Sequence, residues 1–409
     1  MEVKGLNRRK PCLLWYLTII LLIFASLGGY AFQRKWFGFQ GKSYASYESA
    51  VHRTGIGDEL PGTLAGGRHA LKENGIGPSC DLHASGVQSG ALELNQVLYL
   101  PIVMAVRETR ATRAIWVQGR AVSSRAEADQ MLDRVVQGGF NTVLLWVGYG
   151  KVIYHSDILD TYYPGSYDPL AYVIEQAHAR ELQVQAWWQP GRVMDYIPFR
   201  NSHPDWDIAA IDGIPNDIHW LNFSLPEVKQ FVGDVVLEIV QKYDVDGVHL
   251  DVVRFLGPTS ALDCRDFFGP DEVPNTVQSV YQRLQAVAPN VQLTAAVIST
   301  KLGSSHLQHW DAWLAGGYID YVMPMAYLSP SDNDKLEELV REWRNLSRFE
   351  AVVPGLSVVI DVADGGIPKT PGQLIAQLEI CRLGGLAGFS IFDEGKITNE
   401  LVNALALYP

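Results

Sequence analysis

The chain has 409 residues, 47% hydrophobic and 19% charged, an ordinary globular composition with room for one large domain and extensions. Its formal net charge is −12 with a pI near 5.3, and its main body has no basic cluster, which argues against nucleic-acid binding. Cys12, Cys80, Cys264 and Cys381 lie far apart without CxxC spacing, so no disulfide framework is implied, although one bridge stays open.

Residues 1–11 carry Lys4, Arg8, Arg9 and Lys10 and read as a basic cytoplasmic N-terminus. The uncharged run CLLWYLTIILLIFASLGGYAF fills 12–32 and is closed by Arg34 and Lys35. Its length suits a bilayer-spanning helix, and the preceding cations bias that end to the cytoplasm. A secretory signal peptide with Gly29 and Ala31 near its cleavage site is the competing reading. We favour the uncleaved anchor; either way the main domain is expected outside the cytoplasm. Residues 33–96 are Gly- and Ser-rich without periodicity and read as a tether.

From 97 to 409 strand and helix patterns alternate. Apolar strands are expected at 114–119, 142–149, 184–190, 247–253, 292–298, 321–327, 352–359 and 388–393. Helical periods follow them at 123–139, 168–182, 225–244, 277–288, 306–317, 334–346, 371–385 and about 397–407. Eight alternations imply parallel strands with right-handed crossovers, and units of this size point to a closed (β/α)8 TIM barrel in the α/β class. Neither GxGxxG nor GxxxxGK[ST] occurs, so no open nucleotide-binding sheet is indicated.

In such barrels chemistry sits at the C-terminal strand ends. The fourth strand, GVHLDVV, puts His249 and Asp251 on one face, with Arg254 just beyond. Asp251 reads as the catalytic carboxylate, or else as a rim partner of Arg254. His249 lies one layer deeper and reads as a hydrogen-bonded residue orienting Asp251. Asp393 or Glu394, ending the eighth strand, supplies the second carboxylate; parity does not choose between them. Trp187 and Trp188 are adjacent and must point opposite ways; Trp188 is taken as the sugar-facing one. Gln189, His249, Arg254, Tyr327, Tyr149 and Asn222 complete the expected sugar-binding set, with Tyr327 equally readable as rim packing. Ser299 and Asp361 mark the ends of strands five and seven.

Long connections after strands three and four, holding HPDW at 203–206 and HWLN at 219–222, suggest a cleft on that rim, although HPDW also reads as a turn with an apolar anchor. Carboxylates and aromatics on one rim are what glycoside cleavage needs. His306 and His309, at i and i+3 on an expected helix, read as surface residues. No metal and no cofactor is expected; a metal-dependent hydrolase or deacetylase would need a third ligand beside His249 and Asp251.

Residues 113 to about 394 resemble the family-10-like glycosylhydrolases, a glycosyl-hydrolase-like barrel family. RAIWVQ (113–118), SHPDW (202–206), WLNFSLPEVKQFVGDVVLEIVQKYDVDGVHLDVVRF (220–255) and YVMPMAY (321–327) carry the resemblance. It implies an extracytoplasmic barrel cleaving O-glycosidic bonds of an envelope polysaccharide, with members linked to peptidoglycan glycan stripped of its peptides. The family's strand-four Asp, preceding His and basic residue map onto Asp251, His249 and Arg254. Val252 stands where many members have an acidic or aromatic residue, and Phe255-Leu256-Gly257-Pro258 replaces an aromatic-Pro ending. Compared with chitinase-type barrels, the acid position falls on Val253, while Met325 and Tyr327 match their strand-six Met-x-Tyr. The alternative is a catalytically inactive barrel that binds glycan or a partner protein.

Overall fold

The computed structural model describes residues 111–360, 366–386 and 388–409. The expectations for the basic N-terminus, the anchor or signal peptide, the tether and Asp361 lie outside the described residues. Among the described residues no helix is long and apolar enough to cross a membrane.

Eight parallel strands form the barrel: β1 (Arg113–Val117), β2 (Thr142–Gly148), β3 (Gln183–Trp188), β4 (Gly247–Leu250), β5 (Gln292–Val297), β6 (Tyr321–Pro324), β7 (Gly355–Ser357) and β8 (Phe389–Phe392). They are hydrogen-bonded in the order β6-β5-β4-β3-β2-β1-β8-β7. Bridges Val322↔Val352 and Met325↔Gly355 join β6 to β7 and its lead-in, so the sheet returns on itself.

The helices around the barrel are α1 (Arg125–Gln137), α2 (Pro169–His178), α3 (Pro226–Lys242), α4 (Glu272–Val287), α5 (Trp310–Gly316), α6 (Asn333–Trp343), α7 (Pro371–Leu383) and α8 (Asn399–Leu407), and a short helix, Ile197–Ser202, lies in the connection after β3. Local chemistry starts them. Ser124 and Asp168 accept the N3 amides of α1 and α2. Thr370 and Gln373 form a capping box on α7, with Pro371 in its first turn.

Nearly unbroken apolar strands follow from burial on both faces. One set of side chains packs under the helices, including Ile115, Val143, Val184, Val248 and Leu293. The alternate set fills the barrel, including Trp116, Leu144, Trp187, Ala296 and Met325.

Two local expectations are corrected. α4 begins at Glu272, five residues before 277, because Pro274 falls in its first turn, where a missing amide costs nothing. His306 and His309 do not share a helix: Leu307 and His309 are left-handed, with φ of 52° and 40°, and α5 starts only at Trp310. His306 is buried rather than on the surface.

Candidate active site

Strand parity builds the site. Gln185 and Trp187 point into the barrel, and Gln189 continues the alternation just past β3. Trp187 pairs in register with Trp146 on one side and His249 on the other. Asp251 follows β4 directly, and its amide bonds the Trp188 carbonyl at 2.9 Å, extending the strand pairing by one step.

Trp187 Nε1 and Gln189 Nε2 both donate to Asp251 Oδ2, each at 3.0 Å. Trp146 Nε1 donates to Gln189 Oε1 at 3.3 Å. An indole N–H can only donate, so it takes the amide oxygen and leaves the amide nitrogen for Asp251. Two donors, one of them oriented by Trp146, therefore hold one oxygen of a carboxyl group that is 3% exposed. Beside it Phe392 meets Trp187 edge-on at 6.4 Å and stacks with Tyr327 at 5.1 Å. Flat rings next to a positioned carboxylate can bind a sugar face and act on its glycosidic bond.

His249 sits one layer below, fully buried. Trp116 Nε1 donates to its Nε2 at 3.3 Å, and its Nδ1 lies 2.8 Å from Thr294 Oγ1. Thr294 donates to Gln185 Oε1 at 2.6 Å, so the donor chain runs one way and sets a neutral ring with hydrogen on Nδ1. Burial pushes its pKa down to about 3. His249 is thus a polar brace across the barrel floor, directly beneath the carboxylate strand end.

The other expected site residues fall elsewhere. Trp188 is fully buried in the outer layer, donating to the Tyr149 carbonyl at 3.0 Å and packing on Phe231 of α3. Parity assigns the barrel lining to Trp187, so the sugar-facing expectation for Trp188 is corrected. Tyr149 is buried against Trp146, with the Arg192 guanidinium 5.3 Å from its ring centroid. Asn222 Oδ1 accepts from the Ser224 amide and hydroxyl, at 3.1 and 2.6 Å, forming the turn into α3. Arg254 is buried, and its carbonyl accepts Trp220 Nε1 at 2.7 Å.

Glu394 lies 3.9 Å from Arg134 on α1. Burial raises its pKa, opposed by Arg134. Asp393 is 3% exposed; burial raises its pKa, opposed by Arg120 and Lys396.

Sequence reasoning passed over Trp146 and Phe392. The available signal was the period-two spacing of Trp146 from Leu144 and of Phe392 from Ser390. Val252, directly after Asp251, has φ of 59°, a costly conformation for a β-branched residue. Its carbonyl lies against Gly191, where any side chain would collide with it. Among the described residues no group of three His, Cys, Asp or Glu side chains is arranged to hold a metal ion.

Residues 111–261 match the family model described as Glycosyl hydrolase-like 10, which bears out the family resemblance. Glycosyl hydrolase YngK of Bacillus subtilis is 24% identical over 60% of this chain and 60% of its own length. Glycosyl hydrolase DigH of Escherichia coli is 23% identical over 59% of this chain and 66% of its own length. The chain thus spans about 60% of the first of these relatives. Among solved structures, the glycoside hydrolase domain of PgaB from Bordetella bronchiseptica aligns with a TM-score of 0.55 and 11% identity, over 73% of this chain and 96% of that one. The endo-1,4-beta-mannanase of Rhizomucor miehei aligns at 0.51 and 11%, over 73% and 93%. These two likenesses show the barrel fold.

Proposed function

We propose that this glycoside-hydrolase-like barrel cleaves O-glycosidic bonds of an envelope polysaccharide, peptidoglycan glycan in particular, from outside the cytoplasm. The observation that carries the reading is the Asp251 carboxylate at the C-terminal end of β4, held by N–H donors of Trp187 in β3 and Gln189 just past it, beside Phe392 and Tyr327. A carboxylate fixed in this way serves as base or nucleophile at the anomeric carbon, and the rings hold the sugar. The family match and the curated relatives named glycosyl hydrolases support the reaction class. The choice of glycan rests on the family resemblance. The location rests on the uncharged run at 12–32 and its flanking cations.

The test is release of new reducing ends from peptide-stripped peptidoglycan by the full chain and by Asp251→Asn. Release by the wild type and its loss in the variant support the hydrolase. Glycan binding without product in both proteins supports the alternative, a barrel that only binds.

A further inference from the structure

We propose that His219, backed by Asp207, is the proton donor that completes the Asp251 site; this rests on the hydrolase reading above. His219 Nδ1 lies 2.7 Å from Asp207 Oδ2. Asp207 is only 4% exposed, and its Oδ1 accepts the Trp220 amide at 3.1 Å and the Ala209 amide at 3.2 Å. A carboxylate held on both oxygens by donors acts as acceptor, so the histidine hydrogen sits on Nδ1. The ring's other nitrogen, Nε2, is turned away from Asp207, and the side chain is 28% exposed. This is a histidine oriented by a buried acid with its working nitrogen available.

Its place in the fold adds the second argument. Residues 219–221 belong to the long connection after β3, on the rim that carries Asp251. Leu221 N donates to the Gly191 carbonyl at 3.1 Å, and Trp220 Nε1 donates to the Arg254 carbonyl at 2.7 Å. Gly191 in turn lies against both the Val252 carbonyl and the Trp220 ring. The segment carrying His219 is therefore hydrogen-bonded to Gly191, three residues past β3, and to Arg254, three residues past Asp251. Of the two expected strand-eight carboxylates, Glu394 lies 3.9 Å from Arg134 on α1, and Asp393 is 3% exposed.

In the step, protonated His219 gives its Nε2 hydrogen to the glycosidic oxygen as the bond from that oxygen to C1 breaks. The bonding pair leaves with the oxygen, which becomes the hydroxyl of the released sugar. A water oxygen bonds to C1 and its proton passes to the Asp251 carboxylate. Solvent then removes that proton and reprotonates His219.

The test uses the full chain on peptide-stripped peptidoglycan glycan, reading reducing ends from pH 4 to 9. His219→Asn is expected to lower kcat by about 10²- to 10⁴-fold with KM little changed, and to remove the limb of the pH profile that depends on histidine. His219→Gln serves as a second variant, and near-ultraviolet circular dichroism checks that both fold. Asp207→Asn is expected to lower kcat and distort the same limb. An unchanged kcat and pH profile in folded His219→Asn overturns the inference, as does a limb lost in Asp393→Asn but kept in His219→Asn. If Asp251→Asn is inactive while His219→Asn is active, only this inference falls. If the wild type releases nothing, the hydrolase reading falls as well.

Discussion

Lys369 offers a test that needs no substrate. It follows the two-residue strand Ile367–Pro368 and is only 2% exposed. Its Nζ donates to Gln377 Oε1 of α7 at 2.6 Å, and Gln377 Nε2 reaches the Leu328 carbonyl and Asn333 Oδ1 at 3.3 and 3.2 Å. A neutral amide compensates a buried ammonium poorly, and burial pushes the amine from 10.5 down to about 8. That shift corresponds to about 3 kcal/mol against the charged form.

The sign follows from linkage. Below pH 8 the folded chain is forced to carry the charge, so the penalty is full. Between pH 8 and 10.5 the folded state sheds its proton while the unfolded state keeps it, and the penalty fades. Lys369→Met removes the charge at similar length but strands Gln377 Oε1, at a cost of about 1 kcal/mol. The variant is therefore expected to be more stable by about 2 kcal/mol at pH 7, raising Tm by about 3 °C. The gain should shrink as pH approaches 10. Thermal unfolding followed by near-ultraviolet circular dichroism at several pH values measures it. A variant less stable at pH 7, or a difference that does not vary with pH, would refute the reasoning.

Trp187→Phe removes one of the two described donors to Asp251 and is expected to cut kcat at least about 10-fold, the value of a hydrogen bond to a charged group. Trp188→Phe, by contrast, should lower Tm while leaving activity per folded molecule close to wild type, because its indole serves only the Tyr149 carbonyl and the outer layer. Burial holds His249 neutral down to about pH 3 and His306 down to about pH 2. Their folded pKa values are depressed, so the stability is present above the ordinary value of 6.5 and is lost as pH falls. Each should contribute about 1.4 kcal/mol per pH unit over pH 6 to 4, which denaturant titrations at stepped pH would resolve. Gly191→Ala pushes a methyl group into the Val252 carbonyl and should impair both stability and activity, measured by Tm and reducing-end release.

The barrel was legible because each strand is an apolar run and each helix keeps its own period and stop signals. The pairing of His249 with Asp251 was legible for the same reason, since residues two apart on a strand share a face. Which of Trp187 and Trp188 faces inward was not, because both are apolar and only the sheet register orients them. Asp393 and Glu394 posed the same problem at the end of β8. The break at 307–309 was hidden because Leu307 and His309, neither of them glycine, adopt left-handed backbone. The contact between Asp207 and His219 spans a loop of no regular period, so spacing carries no trace of it. Nothing in the sequence around Lys369 signals burial, which comes from its contact with Gln377 of α7.

The two bridges between β6 and β7 leave this cylinder with one lightly sewn joint. Every other neighbouring pair of barrel strands is joined at three or more paired positions. Tyr327 and Lys369 flank that joint, on the connections leaving β6 and β7. That joint has fewer paired positions than any other between neighbouring barrel strands. Amides around 322–326 and 352–357 should accordingly trade hydrogen for deuterium before those of β2 and β3, on the opposite wall.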